Sequence, residues 1–337
     1  MKNNTSINGL VLTQCFHQLK ADLSSPVMPQ GISHAKLVKK NNQVAQLIGL
    51  NTSVFDSSSA LDILSGNTIL ENSQPVACAY AGHQFGNFNP FLGDGRSVLL
   101  GEIQASSGCW DIGLKGAGKT PYTFASDGRA SVDECLHEYA IGERLASQNV
   151  PTTRGLCVVK GSEQVYRSGF KSVAMLARVA PSFVRFGSFE SCYFKKDYSA
   201  LKVLADFVIE RYFFDCIGER DANNYAQFFY QVVEKTAALI AHWQKVGFVH
   251  GMMNTDNQSI IGITLDLGES TFIDNRDDNF TASPSDEHGR YAYGQQPIIG
   301  LWNCNVLARA LSPLISSNDL KRALSVYEST YLDSVNA

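Results

Sequence analysis

The segment from residue 250 to residue 257 reads HGMMNTDN and contains groups that could move a proton and hold a cation. Asp256 is its single carboxylate, and a carboxylate beside a reacting hydroxyl can act as a general base. Asn257 and Asp266 offer hard oxygen atoms of the kind that bind Mg²⁺.

A second group of residues, in the first half of the sequence, suits phosphate groups. The GDGR tetrapeptide at 93–96 precedes an apolar run, and closely spaced glycines let backbone amides approach phosphates. Lys115 ends an alternating segment, and Glu138 lies in the helical pattern that follows. Taken singly, these features are also explained by a turn and by solvated side chains.

Together, the features follow the order found in protein kinases, where a glycine loop, a strand lysine, a helix glutamate, an HxDxxxxN loop and a DFG triplet succeed one another. His250 and Asn257 keep the loop spacing, but Met252 occupies the position of the base. A thioether cannot accept a proton, so Asp256 is the nearby carboxylate that could replace it. The DLG triplet at 266–268 stands where DFG would stand.

The elements that must position these residues change in type along the chain. Strands are predicted at 97–103, 110–115, 158–159, 165–166, 172–185 and 260–265. Helices are predicted at 131–147, 199–217, 223–247, 298–315 and 319–333. Ser131 and Glu134 form the pattern of a capping box at the start of the first helix. The pattern predicts an α+β protein with two lobes around a cleft.

Composition narrows the class of protein. The 337 residues are 44% hydrophobic with a net charge of −4, which excludes wholesale disorder and gives no bulk attraction to nucleic acid or anionic membranes. No apolar run approaches the roughly 18 residues of a membrane span. The eight cysteines, Cys15 among them, contain no CxxC pair and are expected to be mostly small buried residues. The N-terminal residues lack a leader pattern, so a cytoplasmic location is expected, with a mitochondrial one as the alternative. A monomer is expected.

Several longer motifs make a family resemblance specific. They are YAGHQFG at 80–86, LGDGR at 92–96, GLKGAG at 113–118, TPY at 120–122, SDGRA at 126–130, PTTR at 151–154, RVAPS at 178–182, RFG at 185–187, HGMMNTDN at 250–257 and GRY at 289–291. With these motifs the sequence resembles the selenoprotein O (SelO) family of protein adenylyltransferases, whose fold is similar to that of protein kinases.

The resemblance implies a bilobal kinase-like fold and an activity. Residues 1–75 would be an N-terminal extension packed on the N-lobe, 76–195 a strand-rich N-lobe with one prominent helix, and 196–337 a mainly helical C-lobe, incomplete relative to the family. The enzyme would transfer AMP from ATP to Ser, Thr or Tyr hydroxyls of protein substrates and release pyrophosphate. It would require Mg²⁺, with Mn²⁺ as an alternative. Some family members carry a redox cysteine before the GRY motif, and residues 280–283 (FTAS) contain none.

The same resemblance assigns roles to individual residues. Asp256 would be the catalytic proton acceptor, Asn257 and Asp266 the metal ligands, and Glu138 the residue that orients Lys115. The ATP-binding residues would be Gly93, Gly95, Arg96, Lys115, Asp127, Gly128, Arg178, Arg185 and Asp266. Two other functions stay open: a catalytically impaired, nucleotide-binding pseudokinase, and a kinase-type phosphotransferase.

Overall fold

The structure is a computed structural model that describes residues 7–14, 16, 19, 23–217 and 222–337. Cys15, which the sequence analysis grouped with the other cysteines, lies outside these residues. Of the cysteines that the structure describes, none forms a disulfide bond and all except Cys109 are buried. Burial raises the pKa of the Cys157 thiol to about 12, so that group stays protonated at neutral pH.

The described residues divide into two compact units. Unit 1 covers those within Met1–Ala79, Leu92–Ala146 and Thr152–Phe183. Unit 2 covers those within Tyr80–Phe91, Ser147–Pro151 and Val184–Ala337. Strands dominate the first and helices the second, so the α+β class is confirmed. The predicted domain bounds stay a prediction, and residues 1–75 contribute strands to the same sheet as the residues that follow them.

Among the described residues, ten strands form one sheet and two form a small second sheet. The strands are β1 (Leu12–Thr13), β2 (Ser24–Pro26), β3 (Lys36–Lys40), β4 (Val76–Gln84), β5 (Asn87–Gly93), β6 (Ser97–Ala105), β7 (Gly108–Lys115), β8 (Ala130–Ser131), β9 (Arg154–Arg167), β10 (Gly169–Ala180), β11 (Phe248–Val249) and β12 (Thr271–Phe272). The main path runs β2-β4-β6-β7-β10-β9-β3, and the pairs β6–β7, β7–β10 and β10–β9 are antiparallel.

The helices are α1 (Asn42–Leu47), α2 (Ser58–Leu64), α3 (Val132–Ser147), α4 (Phe186–Phe194), α5 (Tyr198–Tyr212), α6 (Ala222–Val246), α7 (Gln296–Leu311), α8 (Ser317–Leu324) and α9 (Tyr327–Asn336). In unit 2, α6 packs against α7, α8 and α9. Among the helices of the described residues, none combines the length and apolar character that a membrane crossing requires.

The start of α3 follows the predicted capping box. The Ser131 backbone amide donates to Glu134 Oε2 at 2.8 Å, and the Glu134 amide donates to Ser131 Oγ at 3.3 Å. Two otherwise unpaired donors are thereby satisfied at the point where the helix must begin. The helix then packs Cys135 and Tyr139 against Leu176 of the sheet, which sets the face of α3 that meets β7 and β10.

Three predicted elements were wrong in type or continuity, and three others end early: the strand at 172–185 stops at Ala180, the helix at 199–217 at Tyr212 and the helix at 298–315 at Leu311. The apolar run 260–265 forms no strand; it turns at Gly262, whose φ of +73° and close approach to Lys235 suit a residue without Cβ. The two short strands near Gly161 are one strand, β9, because the chain reverses only at Gly169, where φ is +125°. The last predicted helix is two helices, α8 and α9, since Ser325 and Val326 interrupt it.

Candidate functional site

A buried ionic cluster lies where α3 meets the sheet of unit 1. Glu138 contacts the Lys115 ammonium through Oε2 and the Arg178 guanidinium through Oε1, the latter at 2.9 Å. All three residues are buried: Lys115 is 8% exposed, and Glu138 and Arg178 are each 4% exposed. Removing one member of such a group leaves a charge uncompensated in the interior, which typically costs about 3–5 kcal/mol.

Strand register explains why these residues meet. Lys115 on β7 pairs with Leu176 on β10, and Arg178 lies two residues further along β10. Paired residues and residues two apart share one face of a sheet, so Lys115, Leu176 and Arg178 all point toward α3. The intervening Leu114 and Ala177 point the other way, into the larger core of unit 1. The sequence analysis expected Lys115 beside Glu138, but it did not connect Arg178 with them.

The glycine turn at 93–95 is held by its own contacts. The Asp94 amide donates to the Cys78 carbonyl at 2.9 Å, and the Cys78 amide donates to Asp94 Oδ2 at 3.1 Å. Thr120 Oγ1 donates to the Asp94 carbonyl at 2.7 Å. A Cβ on Gly93 would lie 2.3 Å from the Tyr122 ring, so local packing alone already requires glycine there. The predicted contacts of Gly93 and Gly95 with ATP stay predictions.

A more exposed network joins four side chains of unit 1. Asp127 pairs with Arg167 through both oxygens, at 2.9 and 3.1 Å. Arg167 also contacts Glu134 at 3.3 Å, and Glu134 contacts Arg96 at 2.7 Å. The hydrogen bonds from Arg167 lower the pKa of Asp127 to about 2. Of the predicted ATP-binding residues, Arg96 and Asp127 therefore belong to one network through Glu134 and Arg167, which sequence reasoning did not identify.

Gly128, next to this network, has a clear structural reason for its type. Its φ is +72°, and a Cβ there would lie 2.4 Å from the Gly118 carbonyl carbon. The Gly118 amide donates to the Gly128 carbonyl at 3.0 Å. Both glycines are therefore needed for the backbone of the two loops to approach, and any contact of Gly128 with a nucleotide would use this same backbone.

In unit 2, the Asp256 carboxylate is buried and only partly hydrogen-bonded. It lies in a 3₁₀ turn over Thr255–Asn257 and is 6% exposed. Gln84 Nε2 donates to Oδ2 at 3.3 Å, while Oδ1 has no hydrogen-bond partner among the described residues. A Cβ on Gly82 would lie 2.5 Å from Oδ1, so a larger residue there would displace the carboxylate. Burial raises the pKa of Asp256 to about 7, although the nearby Arg185 favours the charged form.

Arg185 brings together two carboxylate residues that are ten positions apart in sequence. Its Nη1 donates to the Asp256 carbonyl and to Asp266 Oδ2, both at 2.6 Å. The guanidinium also lies 4.7 Å from the centre of the Tyr80 ring. Asp266 adopts a left-handed conformation, with φ of +53°, which costs free energy for a residue with Cβ and is typical of constrained sites. The nucleotide contact predicted for Arg185 stays a prediction.

His250 holds the loop that carries Asp256. Its Nε2 lies 2.9 Å from the Leu265 carbonyl, and its backbone amide donates to Gln296 Oε1 at 2.9 Å. Burial lowers the pKa of His250, so the neutral ring is favoured. These contacts give His250 a structural role, because they tie the loop to Leu265 and to Gln296.

The two predicted metal ligands offer suitable atoms. Asn257 Nδ2 donates to the Met252 carbonyl at 2.9 Å, which orients the amide and leaves Oδ1 as its hard oxygen donor. Asp266 supplies a carboxylate. Nowhere in the described part of the chain do three or more His, Cys, Asp or Glu side chains cluster as a metal site. An amide oxygen and a carboxylate are hard donors of the kind that Mg²⁺ takes, and phosphates and water would supply its remaining ligands.

Sequence reasoning missed the residues that position this loop. Gln84 and Tyr80 lie in a motif that was quoted without roles, and so does His83, whose Nδ1 is 2.6 Å from Glu190 Oε2. Tyr291 donates its hydroxyl proton to Asn254 Oδ1 at 2.5 Å. Position inside a long motif was the available signal, but spacing along the chain could not show which residues it would meet.

Comparison with known proteins identifies the family. A protein-family model described as "Protein adenylyltransferase SelO" matches residues 7–336 of the chain. The chain is similar to proteins named "Protein nucleotidyltransferase YdiU" from Aliivibrio salmonicida (44% identical), Vibrio cholerae (46%) and Pseudomonas aeruginosa (42%). These matches cover 95%, 95% and 97% of this chain and 66%, 65% and 68% of the respective relatives.

The chain thus spans about two thirds of the length of these relatives. The match nevertheless runs through every candidate residue described above, from the turn at 93–95 to Asp266. On this evidence the chain belongs to the protein adenylyltransferase SelO family.

Proposed function

We propose that this protein is an adenylyltransferase that moves AMP from ATP to Ser, Thr or Tyr hydroxyls of other proteins and releases pyrophosphate. The family match and the names of the relatives support this reaction class. The kinase-like bilobal fold of the family is part of the proposal. The bacterial sources of the relatives support a cytoplasmic location over a mitochondrial one, and the protein acceptors and the monomeric state stay predictions.

The state of Asp256 is the observation that carries the proposal. A proton acceptor works best when its pKa lies near the working pH, and burial raises the pKa of Asp256 to about 7. Its Oδ1 has no partner among the described residues, so a lone pair remains for a substrate proton. Gln84 holds Oδ2 and Arg185 holds the backbone carbonyl of the same residue, which together fix the orientation of the carboxylate.

In the proposed reaction, the acceptor hydroxyl oxygen forms a bond with the α-phosphorus of ATP. The bond from that phosphorus to the bridging oxygen of the β-phosphate breaks, and pyrophosphate leaves with the bonding electrons. Asp256 Oδ1 takes the hydroxyl proton. Met252 is then compatible with activity, because the proton acceptor stands four residues further along the loop.

The nucleotide contacts are assigned by family resemblance and supported by side-chain chemistry. Lys115, Arg178 and Arg185 supply cationic groups, and guanidinium groups suit phosphate oxygens because they can donate two parallel hydrogen bonds. Glu138 contacts both Lys115 and Arg178 and would hold them in place for phosphates. The remaining assigned contacts are those of Gly93, Gly95, Arg96, Asp127, Gly128 and Asp266.

We further propose that Asn257 and Asp266 hold Mg²⁺, with Mn²⁺ as the alternative. When bound, the cation would neutralise phosphate charge. The hydrogen bond from Asn257 to the Met252 carbonyl would keep the amide oxygen in position, and the contact of Asp266 with Arg185 would restrain the carboxylate.

Transfer of label from ATP tests this function. Purified protein would be incubated with Mg²⁺, candidate acceptor proteins and ATP labelled at the α-phosphate, in parallel with Asp256→Ala, Asp266→Ala and the matched control Asp274→Asn, an exposed aspartate. We expect label on protein with the parent chain and the control only. Label from γ-labelled ATP instead would indicate a phosphotransferase, and ATP binding without any transfer would indicate the catalytically impaired alternative.

A further inference from the structure

A cavity of about 920 Å³ in unit 2 is lined by none of the residues assigned to the reaction above. Its lining combines the apolar side chains Phe85, Ile298 and Trp302 with the charged Arg290, Asp286 and Glu287. This volume is in the range that admits a small molecule or several side chains of a peptide. A mixed lining of this kind suits a ligand that is partly apolar and partly polar, and the sign of the charge it accepts depends on which of the charged groups are already paired.

The guanidinium of Arg290 has unused hydrogen-bonding capacity. It lies 4.7 Å from the centre of the Trp302 ring, and a Cβ on Gly86 would come within 3.4 Å of its Cζ. Packed in this way, neither Nε nor Nη2 has a hydrogen-bond partner within the described ranges of the chain. Unmet buried donors cost free energy, and a carboxylate would satisfy them in the bidentate geometry that arginine favours.

The two acidic residues of the lining lie close to this arginine in sequence, and only one of them has a carboxylate that is free of backbone hydrogen bonds from the described residues. Asp286 is buried, and its two oxygens accept the backbone amides of Arg290 and Tyr291, at 2.9 and 2.7 Å. That carboxylate therefore shapes the backbone. Glu287 is exposed at the cavity and would repel an anionic ligand.

Hydrogen bonds connect the cavity wall to the loop of Asp256. The Phe85 amide donates to the Tyr291 hydroxyl at 2.8 Å and to Asn254 Oδ1 at 3.2 Å. The residue before Phe85 is Gln84, whose amide donates to the Asp256 carboxylate. Phe85 itself has a φ of +50°, a conformation that costs free energy and that these contacts maintain. One short segment thus forms part of the cavity wall and holds the proposed base.

We propose that this cavity is an acceptor subsite, which binds an acidic side chain near the modified hydroxyl of the protein substrate, and that Arg290 is its specificity-determining residue. The inference rests on the proposed function, because it names the class of acceptor for that reaction. Arg290 takes no part in bond making; it selects acceptor segments that carry a carboxylate.

Peptide binding without ATP tests the subsite directly. The probes are three capped pentapeptides with a central serine flanked on both sides by glutamate, glutamine or lysine. By calorimetry, we expect the glutamate peptide to bind about 10- to 100-fold more tightly than the glutamine peptide, as a charged hydrogen-bonded pair requires. Arg290→Ala should abolish that difference. Arg276→Ala, which removes an exposed arginine that pairs with Asp278, should preserve it.

A second variant keeps the test decisive if Arg290→Ala fails to fold. Glu287→Gln removes the competing exposed charge and should tighten binding of the glutamate peptide about two- to fivefold. Equal binding of the glutamate and glutamine peptides, or no response to either variant, would overturn the subsite. Because these measurements use no ATP, they are independent of the labelling assay: transfer without acidic preference defeats only the subsite, and absence of transfer defeats the proposed function.

Discussion

Both units bury charged groups, but they leave those groups in different states. In unit 1, each oxygen of the Glu138 carboxylate contacts a cation, Lys115 on one side and Arg178 on the other. In unit 2, one oxygen of the buried Asp256 carboxylate accepts a single 3.3 Å hydrogen bond from Gln84, and the other has no partner among the described residues.

This difference separates a group that holds the structure from one that is available for chemistry. A compensated buried carboxylate stays charged, so it can fix a lysine and an arginine at constant positions. A buried carboxylate with too few partners favours its protonated form, so its pKa is raised. At neutral pH such a group destabilises the fold, because the unfolded state holds the charge more easily. The two carboxylates should therefore respond in opposite ways to substitution, and four predictions test this contrast.

The largest effect is expected on the rate of transfer. Asp256→Asn keeps the shape of the side chain but removes the proton acceptor, so AMP transfer should fall by about 10²- to 10⁴-fold. Initial rates with α-labelled ATP measure this change. Asp274→Asn serves as the acid-to-amide control and should retain the parent rate. A loss of less than about threefold in Asp256→Asn would remove Asp256 from the catalytic role.

The next effect is on stability in unit 1. Glu138→Ala leaves Lys115 and Arg178 without their shared carboxylate, and it should lower the free energy of unfolding by about 3–5 kcal/mol. Urea titration followed by circular dichroism measures it. Glu143→Ala on the same helix is the matched control, since its pair with Arg154 is more exposed, and about 1 kcal/mol is expected there. Equal losses in both variants would show that the buried cluster is not compensated as described.

The third effect has the opposite sign and depends on pH. Because the pKa of Asp256 rises from 3.8 to about 7 on folding, the folded state binds more protons than the unfolded state between these values, and stability falls as pH rises through them. Asp256→Asn lacks this loss. In metal-free protein, it should be more stable than the parent by roughly 2–4 kcal/mol above pH 7 and similar to it near pH 4. A gain that is independent of pH would contradict this origin.

The smallest effect is expected at the exposed pair of Asp127 and Arg167. Solvent screens this contact, so Asp127→Asn should change the free energy of unfolding by less than about 1 kcal/mol, and less still at high salt. Thermal unfolding at two salt concentrations measures this. If Asp127 also binds ATP, as the family resemblance implies, nucleotide affinity should fall while stability barely changes. A large loss of stability would instead assign the residue a structural role.

Local features of the sequence were sufficient for several elements. The capping box placed the start of α3 correctly, because Ser131 and Glu134 interact within one turn. The runs at 97–103 and 110–115 placed β6 and β7 correctly, although both strands are buried at consecutive positions and not on one face only. The run 260–265 misled because a short apolar stretch has no period that distinguishes a strand from a buried turn.

In the candidate site, too, the sequence identified residues but not the contacts between them. Motifs of the family led to Asp256, Asn257, Asp266, Lys115 and Glu138 by type and order alone. They could not reveal that Arg178 shares Glu138 with Lys115, because that contact depends on the register between β7 and β10. Nor could they assign Gln84 to Asp256, since 172 positions separate the two residues.

The sequence by itself thus determined the α+β class, the family and the chemical types of the residues, because composition, periodicity and motif order are local properties. The tertiary structure decided which charges are compensated and which are not. Compensation depends on distances between residues that are remote in the chain. It also depends on burial, which strengthens each electrostatic contact and raises the free-energy cost of each unpaired polar group. That is why the two acidic residues Glu138 and Asp256 differ: within the described part of the chain, the carboxylate of Glu138 contacts two cations, and that of Asp256 accepts one hydrogen bond.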